Sequence, residues 1–179
     1  MAGSTARAPR LAFTGRAGQL ALPRRTLLRA SGLAPLLALL PRREASAAEY
    51  SSAAEALDAV DRLEADVAVR LRALSDELPP VRPFVGSVLA DQERQRGERA
   101  RVRRRLGLPP AASQQPTAPP ERDLASLRKA QEALVYAHAE GLPALDDSWS
   151  VRILARHIVE LARHLTVIDL WIEAEEQRG

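Results

Sequence analysis

Residues 149–176 read WSVRILARHIVELARHLTVIDLWIEAEE and form the longest uninterrupted helical pattern of the chain. Their apolar residues recur at alternating steps of three and four, which is the spacing of a helix packed along its whole length. The apolar positions are Val151, Leu154, Ile158, Leu161, Leu165, Ile168 and Ile172. His157 and His164 fall on the same face, and Glu160 lies at its edge, one turn from each histidine. The stretch therefore predicts a core helix that turns polar groups inward.

Three further helical patterns precede this stretch. They are predicted over residues 52–78, 83–106 and 121–142, and prolines follow the first and the third. Proline lacks the backbone donor that a continuing helix needs, so these positions end the helices. Each pattern carries an apolar stripe that is interrupted by inward polar residues: Glu64 in the first helix, Gln92, Gln95 and Arg99 in the second, and Gln131 and His138 in the third. All four helices are expected to place polar groups at a similar height along the common axis of the helices.

The outer face of the second predicted helix is rich in charge. It carries Arg94, Arg96, Arg101, Arg103, Arg104 and Arg105, interleaved with Asp91, Glu93 and Glu98. One interpretation is a solvated face whose charges pair with each other. The other is a docking patch for an acidic partner protein.

Residues 107–120, GLPPAASQQPTAPP, separate the two pairs of helices. Gly107 is expected to cap the second helix, and the proline-rich composition after it excludes a packed element. Fully extended, such a segment spans about 40 Å, which exceeds the roughly 35 Å of a helix of about 23 residues. The expected fold is therefore an all-α four-helix bundle with a long crossover between helices 2 and 3, in which helices 1 and 4 run parallel.

Residues 1–48 have the composition of an export signal. Arg24 and Arg25 precede an apolar run at residues 33–40, and the small residues Ala45 and Ala47 fit a signal-peptidase site. The apolar run is too short to span a bilayer, so the segment is expected to be cleaved and to leave no transmembrane anchor. The sequence PRRTLLRA resembles the twin-arginine signal. This resemblance implies export by the twin-arginine machinery, most simply to the periplasm.

Two alternatives to a bacterial twin-arginine signal stay open. The arginine pair could precede an ordinary Sec signal by chance. A plastid transit peptide followed by a thylakoid signal would instead place the protein in the thylakoid lumen.

Cleavage of the leader changes the charge of the remaining domain, residues 49–179. The chain has 26 basic and 23 acidic residues, and the leader holds 8 of the basic residues and 1 of the acidic ones. The domain therefore keeps 18 basic and 22 acidic residues, which gives it a net charge of 18 − 22 = −4. Nucleic acid binding loses its main support, because phosphate recognition needs a net basic face. The chain has no cysteine, so packing alone must stabilise the exported domain.

The helix count, the linker placement and the inward polar residues make residues 50–176 resemble the ferritin-like superfamily, and more narrowly the twin-arginine-exported bacterial ferritin-like proteins. Ferritin-like metal sites take one Glu from each of two helices and a Glu-x-x-His from each of the other two. Glu64 matches the lone carboxylate of the first helix. The second and third helices lack the required ligands, and Glu160 and His164 are separated by three residues instead of two. A full two-metal centre is therefore not expected.

Two interpretations of the inward polar residues remain. One is a mononuclear site for iron or another transition metal, with Glu64, His157, Glu160 and His164 as ligands and His138 as a secondary candidate. The other is a metal-free hydrogen-bonded belt, in which Arg99 supplies a counter-charge to Glu64. The corresponding functions are metal handling or oxidative chemistry, and a binding or assembly module that meets a protein partner or a second copy of itself. A lumenal version of the module would resemble the small four-helix extrinsic subunits of photosystem II.

Overall fold

The computed structural model describes residues 50–113 and 123–177, which form four α-helices and two short 3-10 turns. The helices are α1 (Ala53–Glu77), α2 (Arg82–Arg105), α3 (Leu124–Gly141) and α4 (Ser148–Glu176), and the turns Pro79–Val81 and Leu142–Ala144 follow α1 and α3. The described residues contain no β-strand, so the all-α class and the four helices are confirmed. The export signal and residues 121–122 of the third predicted helix lie outside the described residues.

Three of the four helices begin at a side-chain cap. The Ser52 hydroxyl accepts a hydrogen bond from the Glu55 backbone N–H at 3.2 Å. Asp123 and Asp147 accept in the same way from the third residue beyond them, at 2.7 and 2.9 Å. Each cap satisfies one of the backbone donors that the first helical turn leaves without a partner, which explains where these helices start.

The C-terminal cap of helix α2 includes Gly107, whose φ of 69° lies in the left-handed region. The Gly107 N–H donates to the Arg104 carbonyl at 3.2 Å, and the Leu108 N–H donates to the Arg103 carbonyl at 2.9 Å. These two bonds define a Schellman motif, which glycine favours because it has no Cβ to clash. The turn reverses the chain, so that the residues after Gly107 lie back against α2.

The helices form a ring in which α1 and α4 each pack against both α2 and α3. Contacts between neighbours fix their directions. Arg103 meets Asp58 while Arg96 meets Glu64, and Arg105 meets Asp147 while Phe84 meets Trp171. In each pair of contacts the residue number rises on one helix and falls on the other, so α2 runs antiparallel to both α1 and α4.

The same reasoning applies to α3. Arg128 contacts Asp169 near the end of α4, whereas His138 contacts His157 nearer its beginning. Helix α3 is therefore antiparallel to α4, and α1 and α4 point in one direction while α2 and α3 point in the other. The connection predicted to cross the bundle includes residues 114–122, which are outside the described residues, so the crossover stays a prediction.

The apolar stripes predicted from the sequence form the core. Leu57, Val60, Leu134, Leu154 and Leu161 are each fully buried, and they belong to three different helices. Burial of such side chains contributes about 1.5–3 kcal/mol each. Within residues 50–113 and 123–177, none of the helices carries an apolar stretch sufficient to cross a membrane.

Candidate functional site: the buried polar layer

Ten polar residues of the described chain are buried. Eight of them, from all four helices, lie inside the bundle at the inward positions read from the sequence, and we refer to these eight as the polar layer. Its members are Glu64, Gln92, Gln95, Arg99, Gln131, His138, His157 and His164. Helix α2 contributes three of them, in the middle of a stripe that is apolar at both ends. The inward polar positions read from the helical period are therefore inward in the structure.

Glu64 on α1 and Arg99 on α2 form the ion pair at the centre of this layer. Arg99 Nη2 donates to Glu64 Oε2, and each side chain is only 1% exposed. Arg99 Nε also donates to Asp61 Oδ1 at 2.8 Å. Burial raises the pKa of Glu64 above its usual value, although the charge and hydrogen bond of Arg99 act in the opposite direction.

Arg103 extends the ion pair into a network between α1 and α2. Its Nη2 donates to Asp58 Oδ1 at 2.6 Å and to Asp61 Oδ2 at 2.8 Å. The sequence pattern assigned Arg103 to the outer face of the second helix, and that assignment is wrong because the residue is only 2% exposed. Arg103 lies one turn beyond Arg99 and therefore shares its face.

His157 on α4 is held by a carboxylate of α2. Its Nε2 lies 2.7 Å from Glu98 Oε2, which also pairs with Arg156 at 2.5 Å. Burial lowers the pKa of His157, while the hydrogen bond to Glu98 partly offsets that effect. A neutral His157 therefore donates its Nε2 proton to Glu98, which leaves Nδ1 as an acceptor.

His164 lies two turns further along α4 and repeats this arrangement. Its Nε2 is 3.1 Å from Asp91 Oδ2, and its ring is nearly perpendicular to the Phe84 ring, with 6.1 Å between the ring centroids. Burial lowers the pKa of His164, and the hydrogen bond to Asp91 acts against that shift. Both carboxylates that fix the histidines belong to α2, where the sequence pattern had placed them among the arginines of the outer face.

Glu160 is bound by two groups of α2. Gln95 Nε2 donates to its Oε2 at 2.8 Å, and Arg94 Nη2 donates to the same oxygen at 2.9 Å. Burial acts to raise the pKa of Glu160, but these hydrogen bonds hold it below its usual value. Glu160 is therefore a charged, half-buried carboxylate at the edge of the layer.

His138 on α3 is fully buried and contacts His157, with 5.7 Å between the ring centroids. Its Nδ1 lies 2.9 Å from the Leu134 carbonyl, so the neutral ring carries its proton on Nδ1. Burial lowers the pKa of His138 to about 3, and the positive charge of Arg99 adds to the effect. This histidine remains neutral at physiological pH.

The candidate metal ligands are thus bound to partners that are spread along α2, and they do not converge on one point. Glu64 pairs with Arg99, Glu160 with Arg94 and Gln95, and the two histidines with carboxylates. In the part of the chain that the structure describes, no group of three or more His, Asp and Glu side chains is arranged to hold a metal ion.

Each histidine ring of the layer also contains one buried nitrogen atom that has no hydrogen-bond partner among the described residues. They are His138 Nε2, His157 Nδ1 and His164 Nδ1. In the neutral tautomers set by the outward hydrogen bonds, each of these atoms carries a lone pair directed away from the residue that fixes the ring. Such a nitrogen can accept a hydrogen bond or bind a cation.

Asp58 and Asp61 were not singled out in the sequence, although they anchor the arginines of α2. The available signal is their spacing: the two aspartates are three residues apart on α1, and Arg99 and Arg103 are four apart on α2. When two residues of one charge share a face of one helix and two of the opposite charge share a face of an antiparallel helix, the two pairs can form ion pairs together. That signal becomes specific only once the helices are known to be neighbours.

No family model matches the chain, and no curated protein or solved structure matches it either. The geometry of the polar layer and of the surfaces around it is therefore the basis on which a function can be proposed.

Proposed function

We propose that residues 49–179 form an exported helical-bundle module that acts by binding or assembly and not by catalysis, with the polar layer as a structural belt. One observation carries this proposal: each of the four main candidate ligands, Glu64, His157, Glu160 and His164, is already engaged by a charged or amide group of α2. An arginine-bound carboxylate has to give up a charge-assisted hydrogen bond before it can coordinate a metal ion.

A belt of this kind has a physical role without any ligand. Breaking a buried ion pair costs about 3–5 kcal/mol, because one charge is left uncompensated. A slip of α2 by one turn would break the pairs of Arg99 with Glu64 and of Glu98 with His157 together. The belt therefore selects one register and one arrangement of the four helices, and it holds the surface of α2 in place.

We propose the ferritin-like topology, with a crossover between α2 and α3, as the fold of this module. Because α2 and α3 point in the same direction, the chain between them has to return along the length of the bundle. The side chains of Leu108, Pro110 and Ala111 share a cleft with Arg96 and Arg99, which is consistent with a segment that turns back along α2.

The second candidate function is binding of a transition metal ion such as iron by the polar layer, and a specific observation favours it. Metal-binding histidines usually donate their other ring N–H to a carboxylate or a backbone carbonyl. His138, His157 and His164 all have this outward bond, and their remaining nitrogens are buried without a partner among the described residues. In this version the histidines of the layer bind the ion.

Thermal unfolding with and without metals separates the two candidates. The wild-type protein and the double variant His157→Leu/His164→Leu are unfolded with chelator and with added iron, manganese or zinc. A metal-free belt predicts that the thermal unfolding midpoint of each protein is the same with chelator and with added metal. A metal-binding layer predicts that added metal raises the midpoint of the wild type alone, because the bound ion stabilises the folded state through mass action. A wild-type rise of several degrees with one metal would overturn the metal-free proposal, and elemental analysis of the exported protein would identify the ion.

We further propose that the module is exported by the twin-arginine machinery to the periplasm, with the thylakoid lumen as the alternative destination. The support is the arginine pair before a short apolar run and the Ala-Ser-Ala sequence after it. Changing Arg24 and Arg25 to lysine should leave an unprocessed precursor inside the cell. Normal secretion of a protein that begins near Ala48 would contradict this route, and it can be read from the N-terminal sequence of the secreted product.

A further inference from the structure

Helix α2 contributes fewer apolar side chains to the core than the other described helices. Its buried apolar side chains are three valines, Val85, Val88 and Val102, whereas each of the other helices buries at least five apolar side chains, including leucines. Between Val88 and Val102 the buried residues of α2 are all polar. Because apolar burial provides most of the free energy that holds a helix in a bundle, α2 is the helix that the core holds least.

The packing of α2 also leaves buried polar atoms without partners. Nine buried side-chain nitrogen and oxygen atoms have no hydrogen-bond partner among the described residues, and five of the nine belong to α2. They are both amide atoms of Gln92, Oε1 of Gln95, Nη1 of Arg99 and Nε of Arg103. A buried polar atom without a partner is less favourable than the same atom in water, so these five atoms oppose the docking of α2.

The ion pairs of α2 fix its position but add little to the free energy of docking. Arg99 pairs with Glu64, and Arg103 pairs with Asp58 and Asp61. Removal of one partner would leave a buried charge, but departure of the whole helix returns both partners of each pair to water. The solvation that the two charges regain then offsets the attraction that they lose.

The chain on either side of α2 allows this helix to separate from the others. Pro79 and Pro80 have no backbone N–H, so helical hydrogen bonding does not continue from α1 into α2. Gly107 caps the other end of α2. Helix α3 packs against both α1 and α4, so these three helices share contacts that do not involve α2.

We propose that α2 is a detachable helix, whose residues 82–105 separate from the bundle as one unit while α1, α3 and α4 stay folded. Once detached, α2 loses its helical structure, because an isolated helix with two internal glycines is marginal in water. Its departure opens the polar layer to solvent, including His157 and His164, which bond to α2 in the closed state. Parts of a native protein open in this way with free energies below that of global unfolding.

Native-state hydrogen exchange of the full-length chain tests the detachment of α2. Mass spectrometry of overlapping peptides, near neutral pH with chelator and low concentrations of urea, gives an opening free energy for each helix. Gly97→Ala is the informative variant, because Gly97 is exposed on α2 and a Cβ built there meets nothing within 4 Å. Thr166→Ala is the matched control, because Thr166 is exposed on α4 and alanine is the better helix former there as well.

We expect the amides of α2 to share one opening free energy and to exchange at least about tenfold faster than the core amides of α1, α3 and α4. Gly97→Ala should slow the exchange of α2 about two- to fivefold, because alanine stabilises the helix that is lost on opening. Thr166→Ala should leave the exchange of α2 unchanged, because α4 stays folded in the open state. One common free energy for all four helices, a gradient of exchange along α2, or equal slowing of α2 in both variants would overturn the detachment.

Detachment of α2 goes beyond the proposed binding function, and its measurement is independent of the metal test because chelator is present during exchange. A midpoint that rises with metal would overturn the metal-free belt while leaving the exchange pattern as measured. Exchange of all four helices with one free energy would remove the detachable helix while the unfolding midpoints stay as they are.

Discussion

At the scale of single residues, Arg99 is the side chain on which the polar layer depends most. It is 1% exposed, and it reaches both Glu64 inside the core and Asp61 at its edge. A guanidinium remains charged inside a protein, so it has to be matched by carboxylates wherever it is buried. This requirement explains why a glutamate occupies an otherwise apolar position of α1.

The Arg99 and Glu64 pair gives a first prediction. Arg99→Met should lower the free energy of unfolding by about 3–5 kcal/mol, because it leaves the buried Glu64 carboxyl without its main counter-charge. The double variant Arg99→Met/Glu64→Leu should recover most of that loss, since no uncompensated charge remains in the core. Denaturant unfolding near neutral pH measures both values. Equal losses in the single and the double variant would mean that the pair carries no coupling.

The histidines give a second prediction, on the pH dependence of stability. The folded protein keeps His138 neutral down to a pKa of about 3, whereas the unfolded chain takes up the proton near 6.5. The contribution of His138 to the free energy of unfolding is therefore fully present above about pH 6.5 and is lost as the pH falls towards 3. Burial lowers the pKa of His157 and His164, which act in the same direction, while the raised pKa of Glu64 acts in the opposite one.

The variant His138→Leu isolates the contribution of that residue. One proton corresponds to about 1.4 kcal/mol per pH unit, so going from pH 6.5 to about pH 5 should cost the wild type about 2 kcal/mol more than the variant. Urea unfolding of both proteins at these two pH values measures the difference. Identical pH dependence in the two proteins would show that His138 takes up its proton in the folded protein as readily as in the unfolded chain.

At the scale of elements, α2 differs from the other helices in having a polar stripe and two internal glycines. Gly86 and Gly97 both have room for a methyl group, because nothing lies within 4 Å of a Cβ built on either residue. Glycine weakens a helix through the backbone entropy that it loses on folding. The long-range ion pairs of α2 therefore stabilise a helix whose own sequence favours it only weakly.

The glycines of α2 give a third prediction. Gly97→Ala should raise the free energy of unfolding by about 0.5–1 kcal/mol, because it adds helix propensity on an exposed face. Gly107→Ala should instead lower it by about 1–2 kcal/mol, since the cap requires a left-handed backbone. Chemical denaturation of the two variants measures whether each change raises or lowers the free energy of unfolding. A lower free energy of unfolding for Gly97→Ala would contradict the open surroundings of this residue.

At the scale of the whole molecule, the fold is defined by the order of the four helices around the ring, in which α1 and α4 each lie between α2 and α3. Each helix is antiparallel to its neighbours, and helices that point the same way lie on the diagonals. This arrangement brings the beginning of α1 to the end of α3, where a Cβ built on Gly141 would lie 3.1 Å from Ala56 Cβ. The two backbones are thus close enough for a covalent link.

This proximity gives a fourth prediction. The double variant Ala56→Cys/Gly141→Cys should form an intramolecular disulfide on mild oxidation, after a shift of a few tenths of an ångström towards the usual Cβ separation of about 3.8 Å. The control Ala56→Cys/Ser126→Cys should not, because an 18-residue α3 separates its two ends by about 25 Å. Because the natural chain has no cysteine, non-reducing mass analysis reads the result directly. A linked control would indicate that α3 runs in the other direction.

The sequence alone predicted the elements of this fold and the inward direction of most polar residues. The apolar period and the prolines after α1 and α3 place the ends of the described helices within a few residues. The buried position of Glu64, Gln95 and His157 follows from the same period. These are local properties, because the angle of a side chain about its own helix depends only on residues within a few turns.

The partners of those residues were decided by the tertiary structure. Glu98 is 59 residues from His157, and Asp91 is 73 from His164, so their pairing depends on how far α2 and α4 slide and rotate against each other. Arg103 was predicted to be exposed, yet Asp58, Asp61 and the returning segment after Gly107 cover it. A helical period specifies which way a side chain points, but only the packing of neighbouring elements determines what it meets there and whether water still reaches it.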